Sequence, residues 1–221
     1  MDAKEYIDTS IPYLRESDSV DFGLSLFEDI RLDNLPVISE SNEYLGLVDQ
    51  TTLLNSLAKA QLRDIPLRCK DAFVIDSDHL YEAFSKIDDS SVDVVPVIDE
   101  NAKYFGLITS KTLLRSVAKI SSAQLSGGII EFVLGIHDYS MVEIARIVES
   151  NGGKVMSSFV FNIDQDIENI RVLLKLNIQD VSGIVSEFKQ LNYTISRVYS
   201  NHQSFDNSED NLNHLFHFLD I

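Results

Sequence analysis

Cysteine is nearly absent: the 221-residue chain holds one, Cys69. A single thiol excludes an intrachain disulfide, and Cys69 has no metal-ligand spacing around it, so a reduced cytoplasm is the expected address. Positive charge is also scarce, with 18 Lys and Arg against 35 Asp and Glu and a formal net charge of −17. The acid is spread evenly: residues 1–125 carry 12 basic and 22 acidic side chains, the remainder 6 and 13. Neither part offers a basic face, and a phosphate backbone would be repelled, so nucleic acid is not an expected partner. Long apolar runs are missing as well. None approaches the roughly 18 residues of a membrane span, and the opening MDAKEYIDTS is charged from its second residue, unlike a secretory leader. No glycine-rich phosphate loop, zinc motif or G-x-S-x-G elbow occurs, and no catalytic residues are expected.

What is present is an ordinary apolar fraction, 44%, and a duplication. Pro36–Lys59 aligns with Pro96–Lys119 without gaps at 13 identities in 24 positions, where chance gives about one or two. Each copy begins with apolar residues at helical spacing: Val20, Leu24, Phe27 and Ile30, then Leu80, Ala83 or Phe84, and Ile87. Asp18-Ser19 and Asp76-Ser77 are the expected caps of these helices. A β-branched run follows (Pro36-Val37-Ile38; Val94 to Ile98), then a polar turn and a second strand, Tyr44–Val48 or Tyr104–Ile108. A further helix opens at Asp49 or Thr109. One such unit has too little area to bury its own core, so two packed together are expected.

The two "PVI…Y-x-G-L-[VI]-x-x-x-T-L-L" strings, each led by a short strand at Ser10–Leu14 or Ala72–Ile75, resemble a CBS pair, or Bateman module, over residues 1–120. Repeat one would occupy about 5–60 and repeat two about 65–120. The resemblance implies binding of an adenosyl nucleotide as a regulatory ligand and assembly as a homodimer.

A small, polar stretch at 121–128 reads as a linker. Beyond it come a strand at Ile129–Ile136 and a helix opened by Ser140-Met-Val-Glu143, which has capping-box form and ends at Asn151-Gly152-Gly153. Strands at Val155–Ile163 and Ile170–Ile178 follow, separated by a turn at Asp164–Glu168. A helix at Val181–Leu191 and a strand at Tyr193–Tyr199 complete the order βαββαβ, the ferredoxin-like plan. Residues 129–200 resemble an ACT domain, which implies an amino-acid effector. The fold class is therefore α/β (α+β): tandem CBS repeats, an ACT-like domain and, within a tail at 201–221, a short amphipathic helix carrying Leu212, Leu215, Phe216 and Leu219. The whole resembles the bacterial proteins that join a CBS pair to an ACT domain, a group that includes the acetoin utilization accessory protein.

The resemblance also places candidate site residues. In ligand-binding CBS repeats the strand glycine leads to a hydroxyl residue that meets phosphate, and an aspartate three residues later holds the ribose. Here the positions are Asp49 and Thr52 in copy one, Thr109 and Thr112 in copy two. Both ribose aspartates are replaced by threonine, and a carboxylate at Asp49 would oppose an anion. Thr109 and Thr112, with Val97, form the favoured nucleotide site, while helix capping alone also accounts for Asp49 and Thr109. In the ACT-like region the effector loop pairs an aspartate with a glycine three residues on. Asp138, Ser140 and Met141 form the first such turn, lacking the glycine, and Asp180 with Gly183 the second; capping again accounts for the polar members. His214, His217 and Asp220 share a face of the tail helix without making an expected metal site, and His137 beside Asp138 lacks a nucleophile. The expected function is non-enzymatic sensing, passed to an unidentified protein partner, with a ligand-independent scaffold as the alternative.

Overall fold

The computed structural model describes residues 1–200, so the tail helix and its histidines lie outside the described residues. The chain divides into two compact units, Met1–Ser116 and Val117 onward.

In the first unit the duplication becomes a duplicated sheet. Copy one comprises β1 (Leu14–Arg15), α1 (Val20–Asp29), β2 (Asn34–Ile38), β3 (Tyr44–Asp49) and α2 (Gln50–Leu54). Copy two comprises β4 (Val74–Ile75), α3 (Leu80–Ser90), β5 (Val94–Ile98), β6 (Tyr104–Thr109) and α4 (Ser110–Ile120). In each, the first strand runs parallel to the second and the second antiparallel to the third. Registers agree residue for residue: Val37 faces Gly46 and Val97 faces Gly106, and a bulge follows each valine. The expected leading strands are real but shorter and begin later.

Local chemistry explains most boundaries and corrects one expected cap. The Ser19 hydroxyl accepts the Phe22 amide and opens α1 as expected. Asp76 and Ser77 do not cap α3. The Asp76 amide donates to the Ile98 carbonyl and extends the sheet edge, while the Asp78 carboxylate accepts the Ile75 amide and closes a turn. The cap falls to His79, whose Nδ1 accepts the Tyr81 amide at 3.3 Å. The copies differ at α2, which has 5 residues against 11 in α4. The chain beyond Asn55 bends back so that the Ala58 and Ala60 carbonyls accept the Asp21 and Val20 amides at the start of α1. Those tertiary bonds end the helix early.

Each repeat is covered by a segment from elsewhere in the chain. Ala3 is fully buried with Val74, Leu80 and Val97 of copy two, and the Asp8 amide donates to the Leu107 carbonyl of β6. Leu62 is fully buried among Leu14, Val20 and Leu53 of copy one, and Arg68 exchanges both backbone bonds with Leu47 of β3. Glycine is required beneath these crossings. A Cβ on Gly46, at φ +149°, would lie 2.9 Å from Leu67 Cβ, and one on Gly106, at φ +152°, 2.3 Å from Ile7 Cγ2. Pro36 and Pro96 fit the central strands because their cross-strand partners, Leu47 and Leu107, turn backbone groups outward to these same segments.

The two sheets meet through Leu47, Val92, Val94 and Leu107, all buried. At one end their turns are stitched together: the Tyr44 amide donates to the Ala102 carbonyl, the Tyr104 amide to the Asn42 carbonyl, and Lys103 Nζ to Ser41 O at 2.7 Å.

The second unit contains β7 (Ile129–Gly135), α5 (Met141–Ser150), β8 (Val155–Ile163), β9 (Asp166–Leu176), α6 (Ser182–Gln190) and β10 (Thr194–Tyr199). The order β10-β7-β9-β8 is antiparallel throughout, which is the expected split-βαβ plan. Alternate strand residues, among them Ile130, Phe132, Val172 and Leu174, pack with Ile144, Ile147, Ile184 and Phe188 of the helices. Phe132, Phe188 and Tyr193 form an aromatic cluster with centroids 5.0–5.4 Å apart. The β8–β9 hairpin is tighter than its polar sequence suggests. Only Asp164 and Gln165 turn, because the Asp166 carboxylate accepts the Glu168 and Asn169 amides and starts β9 early.

Candidate ligand cleft between the repeats

Opposite the stitched end, the first unit opens into a cleft of about 520 Å³, within the usual range of about 300–1,000 Å³ for small-molecule sites. Three parts of the chain line it. Copy one supplies Asp33, Asn34, Asp49 and Thr52; the crossing segment supplies Arg68 and Cys69; copy two supplies Ser90, Ser91 and Val92. Asp93 ties the copies together beside it, its carboxylate accepting the Asp33 amide at 2.7 Å and Asn34 Nδ2 at 2.9 Å.

Asp49 is the most constrained of the sequence candidates. It caps α2, Oδ1 accepting the Thr52 amide at 2.6 Å, and Oδ2 accepts Arg68 Nη1 at 2.8 Å. Its side chain is 17% exposed whereas that of Arg68 is 64% exposed, so the guanidinium lies over a largely enclosed carboxylate. Burial pushes the Asp49 carboxyl up. The Thr52 amide and the Arg68 guanidinium together outweigh that push and hold it below the ordinary carboxylate value. The capping expectation is met, and the carboxylate remains charged at neutral pH.

Thr52 and Asp49 thus share this cleft. Thr109, Thr112 and Val97 sit elsewhere and are engaged. The Thr109 hydroxyl accepts the Thr112 amide at 3.1 Å and lies 3.1 Å from the Thr112 hydroxyl. Thr109 is 7% exposed, and Val97 is fully buried in the core of copy two. Repeat symmetry nevertheless extends to the aromatics. Tyr44 packs edge-on against Phe73 and donates its hydroxyl to the Cys69 carbonyl at 2.9 Å. Tyr104 packs likewise on Tyr13, and its buried hydroxyl has no protein partner. Burial raises both phenols.

Arg68 and Asp33 escape a reading of the sequence because each acts across distance: Arg68 reaches Asp49 over 19 positions. The available signal was Gly46, since a glycine inside a strand marks close approach of another segment.

In the second unit the candidates separate. Asp138 ends a 3₁₀ turn after β7 and lines a cleft of about 710 Å³ with Gly135, Glu143 and Tyr193. Ser140 caps α5, accepting the Glu143 amide at 3.3 Å, and Met141 packs against the core. Asp180 and Gly183 lie at the start of α6, where the Asp180 carboxylate accepts the Ser182 amide at 3.0 Å. Val181 is the capping position of α6 and makes no side-chain cap bond, and the cap of α5 is Ser140 rather than Asp138. The turns after β7 and β9 stand at opposite ends of an antiparallel pair, since Gly135 faces Asn169 and Ile129 faces Lys175. At about 3.3 Å per residue they are too far apart to hold one small ligand. Among the described residues, no three His, Cys, Asp or Glu side chains assemble as a metal site, and no helix is long and apolar enough to cross a membrane.

Comparison with known proteins agrees with the fold of the first unit. A solved CBS domain pair/ACT domain protein from Thermotoga maritima is 20% identical, with a TM-score of 0.50 over 54% of this chain and 98% of that one. CBSX2, solved in complex with AMP, is 21% identical, with a TM-score of 0.46 over 54% and 97%. A homoserine O-acetyltransferase from Methanocorpusculum labreanum is 26% identical over 115 residues, 51% of this chain, which spans about a quarter of that relative's length (23%). The CBS domain family matches residues 3–59 and 62–119, the two segments that form the paired sheets and just over half of the sequence. The chain belongs to the CBS-domain family.

Proposed function

We propose that the protein is a non-enzymatic regulator that binds an adenosyl compound in the cleft between its CBS repeats and passes the bound state to a partner protein. The observation that carries this reading is the composition of the cleft: copy one, the crossing segment and copy two each supply part of its wall. A ligand there touches both halves of the unit, so its binding energy depends on how they are set relative to each other, which is the requirement for a switch. Adenosyl ligands, and assembly as a homodimer, are what the CBS resemblance implies. For the second unit the reading is an ACT-like effector domain taking an amino acid. Its support is the split-βαβ order and the cleft beside Asp138. A tie to acetoin utilisation rests on the resemblance alone.

Thermal unfolding of the purified chain with adenosine, AMP, S-adenosylmethionine and the amino acids tests both parts. A ligand at about 100 times its Kd stabilises the native state by about 2.7 kcal/mol, a readily measured rise in Tm. A shift with an adenosyl compound that is lost when the cleft is altered, for example by Ser91→Trp, supports the reading. No shift at millimolar concentrations overturns it in favour of a ligand-independent scaffold. The threonines at 52 and 112 in place of ribose-binding aspartates favour that second reading.

A further inference from the structure

The cleft contains its own anion. The Thr52 amide, which a ligand's negative group entering beside α2 could otherwise meet, is already taken by the Asp49 carboxylate at 2.6 Å. Arg68, the cation of the lining, is bonded to that same carboxylate at 2.8 Å. Asp33 adds a second carboxylate to the wall. The charged side chains of the lining are therefore two acids and one base, in a chain of net charge −17. Asp49 holds its place through two independent bonds and is largely enclosed. A phosphate entering the cleft would have to displace it from both partners, or sit beside the intact Asp49–Arg68 pair with the Asp33 carboxylate in the same wall. Copy two shows that this is a property of one position rather than of the fold: the equivalent cap is the uncharged Thr109, accepting the Thr112 amide at 3.1 Å.

We propose that this cleft discriminates against anionic ligands and takes adenosyl compounds whose 5′ substituent is uncharged or cationic, with Asp49 as the residue that sets the preference. This rests on the adenosyl reading above and narrows it. A cationic substituent gains the attraction of Asp49 and Asp33, while a neutral one leaves the Asp49–Arg68 pair undisturbed. A phosphate monoester, carrying up to two negative charges, meets repulsion within a partly enclosed space, where charges interact more strongly than in bulk water.

The test is calorimetric titration of the full chain with adenosine, S-adenosylmethionine and AMP at low and high salt. Adenosine and S-adenosylmethionine are expected to bind at least about tenfold more tightly than AMP in 0.05 M salt, with the gap narrowing at 0.5 M as the charges are screened. Asp49→Ser keeps a good helix cap and should tighten AMP about tenfold while leaving adenosine within about twofold. Asp49→Asn, closer in shape, provides the same readout. AMP binding the unaltered protein as tightly as adenosine overturns the inference and leaves the adenosyl reading standing; so does a gap that neither variant narrows. Failure of all three compounds to bind the unaltered protein overturns the adenosyl reading, and the inference falls with it. The ratio for the unaltered protein decides even if a variant fails to fold.

Discussion

Asp49 performs two tasks with one carboxylate, and its titration should report both. Its folded pKa lies below the ordinary carboxylate value, so its stabilising contribution is complete above about pH 3.9, the unfolded value. The contribution is lost as pH falls further, through the folded pKa. Denaturant unfolding followed from pH 6 to pH 3 should show the wild type losing stability below about pH 4 more steeply than Asp49→Asn, which has no proton to take up there. Parallel curves would place the carboxylate outside the folding balance. The role of this residue as a cap was legible in the sequence, because capping needs only the next three residues. Its partner was not. Arg68 reads as one charge beside a lone thiol until the crossing segment folds over Gly46 and brings it to the cleft. His79 is similar. Asp76 and Ser77 are better caps by residue type, but the sheet edge uses Asp76 and the turn is closed by Asp78, so the helix starts at what is left.

Elements whose signals are local came through with little change. The repeated strands are dictated by β-branched runs ending at polar turns, and α5 by Ser140 ahead of an apolar stripe. That helix ends as its Asn-Gly-Gly sequence implies, the Gly152 and Gly153 amides donating to the Glu149 and Val148 carbonyls. Removing its start should be measurable: Ser140→Ala leaves the Glu143 amide without its acceptor and is expected to destabilise the protein by about 1 kcal/mol. Urea denaturation monitored at a probe in the second unit should show it, and no change would mean that α5 is held by packing alone. Length was the property least accessible from sequence. Alignment of the duplicated segments makes α2 and α4 equivalents, yet α2 stops at Leu54 because α1 recruits carbonyls from the residues that would have continued it. The helix is shortened by a competitor 30 or more positions away.

Across the first unit, the two copies share one buried interface within a single compact unit. Leu47 and Leu107 are fully buried between them, and each copy takes its last covering segment from outside its own run of strands and helices. Leu47→Ala should therefore cost about 2–5 kcal/mol. Copy one and copy two should still unfold in a single transition when each is followed by its own fluorescent label. Two separated transitions would show that the copies are stable independently. The covering segments also order events in time. The core of copy one and its covering segment are in hand as soon as Arg68 has been synthesised, since both lie between residues 11 and 68 and only the face toward copy two is left open. Copy two is different, because Ala3 and Asp8, which close it, are made before any of the residues they cover. The segment around Ala3 and Asp8 thus waits through synthesis of the whole first repeat, and its seat exists only once β6 has been made.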